Sequence, residues 1–194
     1  MRPRTSKRLI ALTFVAAVAL LALLVGGAAG GHGKGKPKHP SAKNGRAGFH
    51  FLVLDQVAGS ADRLIIQGDG NFNRNRASGG GTFDHFLAGT GPPATLVATG
   101  TWRATDVVSW TPGTSHGVYR GGILIMHATF TPNGKPQIKN VLIEVDCNLG
   151  PAGFSTGKPE GVVVTFPGPP QVVFAPTSPT TGVTIFTLGK GRSA

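Results

Sequence analysis

Residues 95–110 read TLVATGTWRATDVVSW, and their alternation decides the fold. In an extended chain, Leu96, Ala98, Gly100, Trp102 and Ala104 fall on one side, and Val97, Thr99, Thr101, Arg103 and Thr105 fall on the other. Trp102 is expected to be a core anchor, with Gly100 leaving room for its ring. A strand this long, broken by Gly and continued by Val107, Val108 and Trp110, is expected to bend strongly. Strong bending favours a closed barrel over two flat sheets.

The same texture runs outward in both directions. From Gly48 onward, short runs of Val, Ile, Leu, Phe and Thr are broken by Gly, Pro, Asn or Asp, and no apolar pattern at helical spacing exceeds two turns. The expected strands are Phe49 to Val57, Arg63 to Gly68, Gly81 to Leu87, Thr95 to Trp110 and Gly117 to Thr131. Four more follow: Gln137 to Asn148, Gly161 to Phe166, Val172 to Ala175 and Val183 to Leu188. The fold class is all-β, a single antiparallel barrel of eight or nine strands over residues 47–194, with a β-sandwich as the alternative. A body of this size can bury one core without a disulfide, which suits the lone Cys147.

Asn133-Gly134 is the strongest hairpin signal in the chain. A turn centred there pairs Leu124 with Ile143, Met126 with Val141, Gly122 with Val145 and His127 with Asn140. Leu124, Met126, Val141, Ile143, Val145 and Cys147 then share an apolar face, while Ile123, Ile125, His127, Leu142 and Glu144 share the other. Cys147 reads as a small buried hydrophobe.

The amino terminus has a different composition. Arg2, Arg4, Lys7 and Arg8, the apolar run Leu9 to Val25 and the small residues Gly26 to Gly30 follow the order of a secretory signal peptide, read as residues 1–29 and cleaved. An uncleaved anchor is the alternative, because a spanning helix needs only about 20 apolar residues. Residues 30–46 carry Lys and Arg with almost nothing to bury, and read as a disordered basic linker. Residues 1–46 hold nine basic side chains and no acid, whereas residues 47–194 hold ten basic and eight acidic. The +11 charge of the whole chain is therefore no nucleic-acid footprint, since the body has no basic stripe to displace counterions. Weak contact between the linker and an anionic envelope surface is the partner its charge suggests, and the destination is secreted or envelope-associated. The oligomeric state stays open.

Candidate chemistry is sparse. Asp69 to Asn75 places oxygen ligands as the first half of a calcium loop does, but Arg74 stands where Gly is required and Gly80 where Glu is required, so a polar turn is expected there. Gly153 to Lys158 falls one residue short of a phosphate loop. The serines have no elbow motif, and no two of the body histidines have metal-ligand spacing on one strand. A ligand-binding set of His127, Glu144, His85 and Arg103 is expected if their faces line a cavity. No cofactor is called for, with one exception. Cleavage after Ala29 would start the mature chain at Gly30-Gly31-His32, whose α-amine, amide nitrogens and imidazole can wrap a square-planar Cu(II) ion. Sequencing of the secreted protein should then begin at Gly30, and this form should bind Cu(II) and lose it on His32→Ala. A different first residue, or copper binding that survives the substitution, sinks the site.

The runs GGGTFDH at 79–85, GTWRA at 100–104, GGIL at 121–124, VDCN at 145–148 and PEGV at 159–162 resemble a family of exported bacterial all-β proteins to which no activity is attached. The resemblance covers roughly residues 60–166 and rests on structural glycines and core aromatics. The glycine-rich short strands are also similar in style to the barrels of allene oxide cyclases and dirigent proteins, from which no catalytic residue is carried over. The leading expectation is an exported, non-catalytic barrel that binds an apolar or amphipathic small ligand in its mouth or lumen. An isomerase or cyclase-type enzyme and a structural envelope protein are the alternatives. A lumen cavity favours ligand or enzyme, and a packed interior favours association.

Overall fold

The computed structural model describes residues 46–87, 94–149, 155–176 and 182–188. The leader, Gly30-Gly31-His32 and most of the basic linker lie outside these residues. Among the described residues there are nine strands: β1 (Ala47–Val57), β2 (Arg63–Phe72), β3 (Ala77–Leu87), β4 (Thr95–His116), β5 (Tyr119–Pro132), β6 (Ile138–Cys147), β7 (Gly161–Phe166), β8 (Val172–Pro176) and β9 (Gly182–Leu188). Successive strands from β1 to β8 pair antiparallel, and β8 returns to β1, closing an eight-stranded barrel. The ninth strand continues β8 along the same edge of β1, pairing Gly182 to Leu188 with Val53 to Ala47, and touches β5 at Tyr119 and Arg120. The barrel is therefore shown, and the sandwich alternative is set aside.

The interior is filled by rings. Phe51, Gly68, Gly81 and Trp102 lie in one row across β1 to β4. Two consecutive glycines leave a floor over which the Trp102 ring sweeps until it stacks on Phe51, with centroids 5.5 Å apart and planes at 12°. A Cβ on Gly68 would stand 2.2 Å from Trp102 Cζ2, so glycine is required here by close approach. Gly100 was expected to make this room. Its own added Cβ would instead meet Thr131 O and the Phe83 ring, because the indole points away from Gly100 across β3 to β2. Trp102 Nε1 donates to Gln67 O at 2.9 Å, which pairs its only polar atom. Phe49, Phe130, Phe72, Phe186 and Trp110 extend the stack.

Three local readings need correction. Leu96 was placed with the inward residues but is 51% exposed, because a bulge opposite His85 and Phe86 makes Val97 an extra residue and inverts the alternation below it. The hairpin after β5 is displaced by two residues: Leu124 faces Val145, Met126 faces Ile143, Gly122 faces Cys147 and His127 faces Leu142, not Asn140. The loop holds residues 133–137, longer than the two-residue turn assumed, and Asn140 at φ 57° absorbs a further irregularity. A shift of two keeps every side chain on its face, so the apolar set from Leu124 to Cys147 is buried as expected. The polar turn expected over residues 69–75 is tighter. Asp69 to Phe72 belong to β2, and Asn73 alone caps the turn by accepting from the amides of Asn75 and Arg76.

Candidate functional site

The four expected ligand-binding side chains do not converge. Arg103 points outward from β4 and is exposed. His127 also faces outward, where its Nδ1 lies 2.9 Å from Asp106 Oδ2. Thr105 donates to the other Asp106 oxygen at 2.8 Å. The hydrogen bonds from His127 and Thr105 hold the Asp106 carboxyl below its usual range. With side chains 38% and 51% exposed, this pair is a surface contact in water. Glu144 is on the outer face of β6 and pairs with Lys158. The face carrying His127 and Glu144 is therefore the outside of the barrel.

His85 alone of the four looks inward, and it has a companion that the spacing of motifs did not reveal. On β1, Phe49, Phe51, Val53 and Asp55 point to the interior. Asp55 is fully buried, and neither of its carboxyl oxygens has a hydrogen-bond partner among the described residues. Pairing sets Pro176, Asp55, Leu64, His85 and Ala98 in one row around the wall. His85 Nε2 is likewise buried without a partner among the described residues. Asp55 and His85 thus flank Leu64 on the inner wall, close to the ends of β1 and β3. Separated by two strand spacings, roughly 10 Å, they are too far apart to bond each other.

Burial determines the charge state of both. With nothing to stabilise a carboxylate, desolvation pushes the Asp55 acid up to about 8. Desolvation also pushes the His85 imidazole down, opposed by the charge of Asp62 and assisted by that of Lys135. Both groups are neutral at pH 7, so each offers a donor and an acceptor to a neutral partner. The walls beside them are apolar: Leu64 is buried, and Phe174 meets the His85 ring edge-on at 5.4 Å. A signal for Asp55 was present in the sequence, as a carboxylate standing at an inward position of an otherwise apolar alternation, Phe49, Phe51, Val53, Asp55, Val57.

Cys147 is structural. It is 2% exposed, its thiol donates to Thr184 O at 3.3 Å, and burial pushes that thiol above its usual range. Among the described residues no group of three or more His, Cys, Asp or Glu side chains could hold a metal ion. No family model matches the chain, and neither the curated proteins nor the solved structures contain a match.

Proposed function

We propose that this is an exported, non-catalytic β-barrel protein that holds a small amphipathic ligand at the Asp55–His85 end of the barrel. The observation that carries the reading is the pair of unpartnered, neutral polar side chains on an apolar inner wall. Leaving such groups unmet costs about 1–3 kcal/mol each, and since these atoms are closed to solvent a ligand hydroxyl or carbonyl removes that penalty only by opening the end of the barrel. The middle of the barrel is packed with Phe51, Trp102 and Phe130, so the ligand is held near the mouth and its tail is short. Binding is favoured over turnover because Asp55 and His85 stand apart across Leu64 and cannot act as one acid–base pair. Export is supported by the leader and small-residue stretch of residues 1–30.

The test is a titration of the mature protein with octanol, followed by the nuclear resonance signals of Leu64, His85 and Phe174. Saturable shifts at these residues are expected, with affinity falling about tenfold in Asp55→Leu, where the hydrogen bond is gone. Shifts confined to the outer face, or equal affinity in Asp55→Leu, would rule the mouth out. The packed interior also favours a second reading, association through the outer wall, where Leu52 and Val183 stand directly opposite each other and are 49% and 51% exposed.

A further inference from the structure

Four pieces of the chain meet at the end of the barrel opposite the Asp55–His85 mouth. Leu188 N donates to Val118 O at 2.8 Å, Leu188 pairs with Ala47, Ala47 pairs with Phe72, and Phe72 pairs with Ala77. The tip of the β4–β5 hairpin, the end of β9, the start of β1 and the β2–β3 turn therefore stand side by side. The tip is apolar where a turn is ordinarily polar. His116 pairs with Tyr119 across the two-residue turn Gly117-Val118, and Gly117 at φ 61° takes the positive-φ place, so the second place carries no glycine requirement. Valine stands there at 62% exposure, the highest of any large hydrophobic among the described residues, and Tyr119 beside it is 46% exposed. Neither belongs to the core. Arg120 Nε donates to Gly113 O at 3.3 Å and braces the hairpin close to its tip.

The charge around this tip has one sign. Arg46 at the start of β1 and Arg74 and Arg76 in the β2–β3 turn are all exposed. Residues 30–54, 70–83 and 107–143 contain no acid, and the nearest one along the chain is Asp69, three residues before Phe72 and opposite His50. Both ends of the barrel's chain leave here, at Ala47 and Leu188. The sequence continues with Lys34, Lys36, Lys38 and Lys43 on one side and with Lys190 and Arg192 on the other. An anionic polymer would use the arginines but has no use for an exposed valine and tyrosine. A lipid surface uses both, because headgroup phosphates attract the guanidinium groups while the interface accepts a small apolar tip and an amphipathic ring.

We propose that this end of the barrel docks on an anionic lipid bilayer, with Val118 and Tyr119 entering the interface and Arg46, Arg74 and Arg76 lying on the headgroups. Apolar insertion and headgroup attraction then add, as they do for other interfacial proteins. Docking in this pose points the Asp55–His85 mouth away from the bilayer. The surface does not depend on what the mouth holds.

The test is co-sedimentation of the mature protein with vesicles of phosphatidylglycerol and phosphatidylcholine in equal parts, and with vesicles of phosphatidylcholine alone. Binding to the anionic vesicles is expected, about tenfold or more tighter than to the neutral ones and released by about 0.5 M salt. Val118→Ser with Tyr119→Ser should weaken it about tenfold. Arg74→Gln with Arg76→Gln, at the other side of the tip, should weaken it about tenfold as well. All four side chains are exposed, so both variants should keep the parent's unfolding midpoint. A spin-labelled lipid in the anionic vesicles should broaden the amide signals of Gly117, Val118 and Tyr119 and spare those of Leu87 and Leu96 at the mouth end. Binding that survives both pairs of substitutions would assign the contact to the basic linker alone and overturn the docking surface. Equal binding to neutral vesicles, or broadening at Leu87 and Leu96 in place of the tip, would overturn it too. If poly(glycerol phosphate) binds as tightly and the Val118 and Tyr119 substitutions have no effect, the partner is an envelope polymer and the bilayer reading fails.

Discussion

Replacing Trp102 by Ala is expected to destabilise the barrel by about 3–5 kcal/mol, the range for deleting a buried aromatic that leaves a cavity. The ring is 2% exposed and stacks on Phe51, Phe49 and Phe130. Beneath it lie Gly68 and Gly81, which have no side chains to move into the space. Collapse is therefore limited, and the cost should fall toward the upper end. The substitution also leaves the Gln67 carbonyl without its indole donor. Urea titration measures the loss. A midpoint near that of the parent protein, with an unchanged slope, would show that the ring is not the anchor its position implies.

Asp55→Asn is expected to stabilise the protein by about 4 kcal/mol at pH 7 and to flatten its pH dependence. The sign follows from the two states. An Asp in the unfolded chain ionises near 3.8, whereas buried Asp55 holds its proton to about 8. Between these values the folded state binds the extra proton, so stability falls as pH rises from about 4 to about 8. At pH 7 the cost is set by the unfolded value, since the folded group is still protonated. His85 acts with the opposite sign: its lowered pKa costs stability as pH falls below about 6.5. The cleanest window is therefore pH 6.5 to 8, where Asp55 dominates and the parent should lose about 2 kcal/mol that Asp55→Asn retains. Denaturant titrations of both proteins at the two ends of that window decide the matter. Parallel pH profiles would mean that Asp55 is already ionised in the folded barrel.

These two residues differ in how legible they were. Trp102 could be placed from the alternation around it, because a strand with a period of two assigns every neighbour once one large apolar residue is set inward. Asp55 obeys the same period, yet no motif marked it, since a lone acid in an apolar alternation has no characteristic partner spacing. Its significance comes from Leu64 and His85 on strands that the chain reaches later. Glu144 was a candidate for the wrong reason. It was grouped with His127 on a face expected to serve only if that face lined a cavity, but the face is the outside of the barrel and the structure gives Glu144 to Lys158, fourteen residues away, across the segment that also covers Asp146.

The sequence by itself determined the nine strands, the all-β class, the membership of the alternating faces of β5 and β6 and the division between basic amino terminus and nearly neutral body. These are local properties: side-chain parity, turn chemistry and composition act within a few residues of their cause. Only the tertiary structure decided where the register across β5 and β6 settles, that a bulge inverts the alternation at Leu96, that β8 and β9 together close the barrel on β1, and that Asp55, His85 and Asp146 are left buried with unmet bonds. Those outcomes depend on contacts between strands distant in sequence, where burial against a specific partner, and not the residue's own preference, sets its solvation and charge.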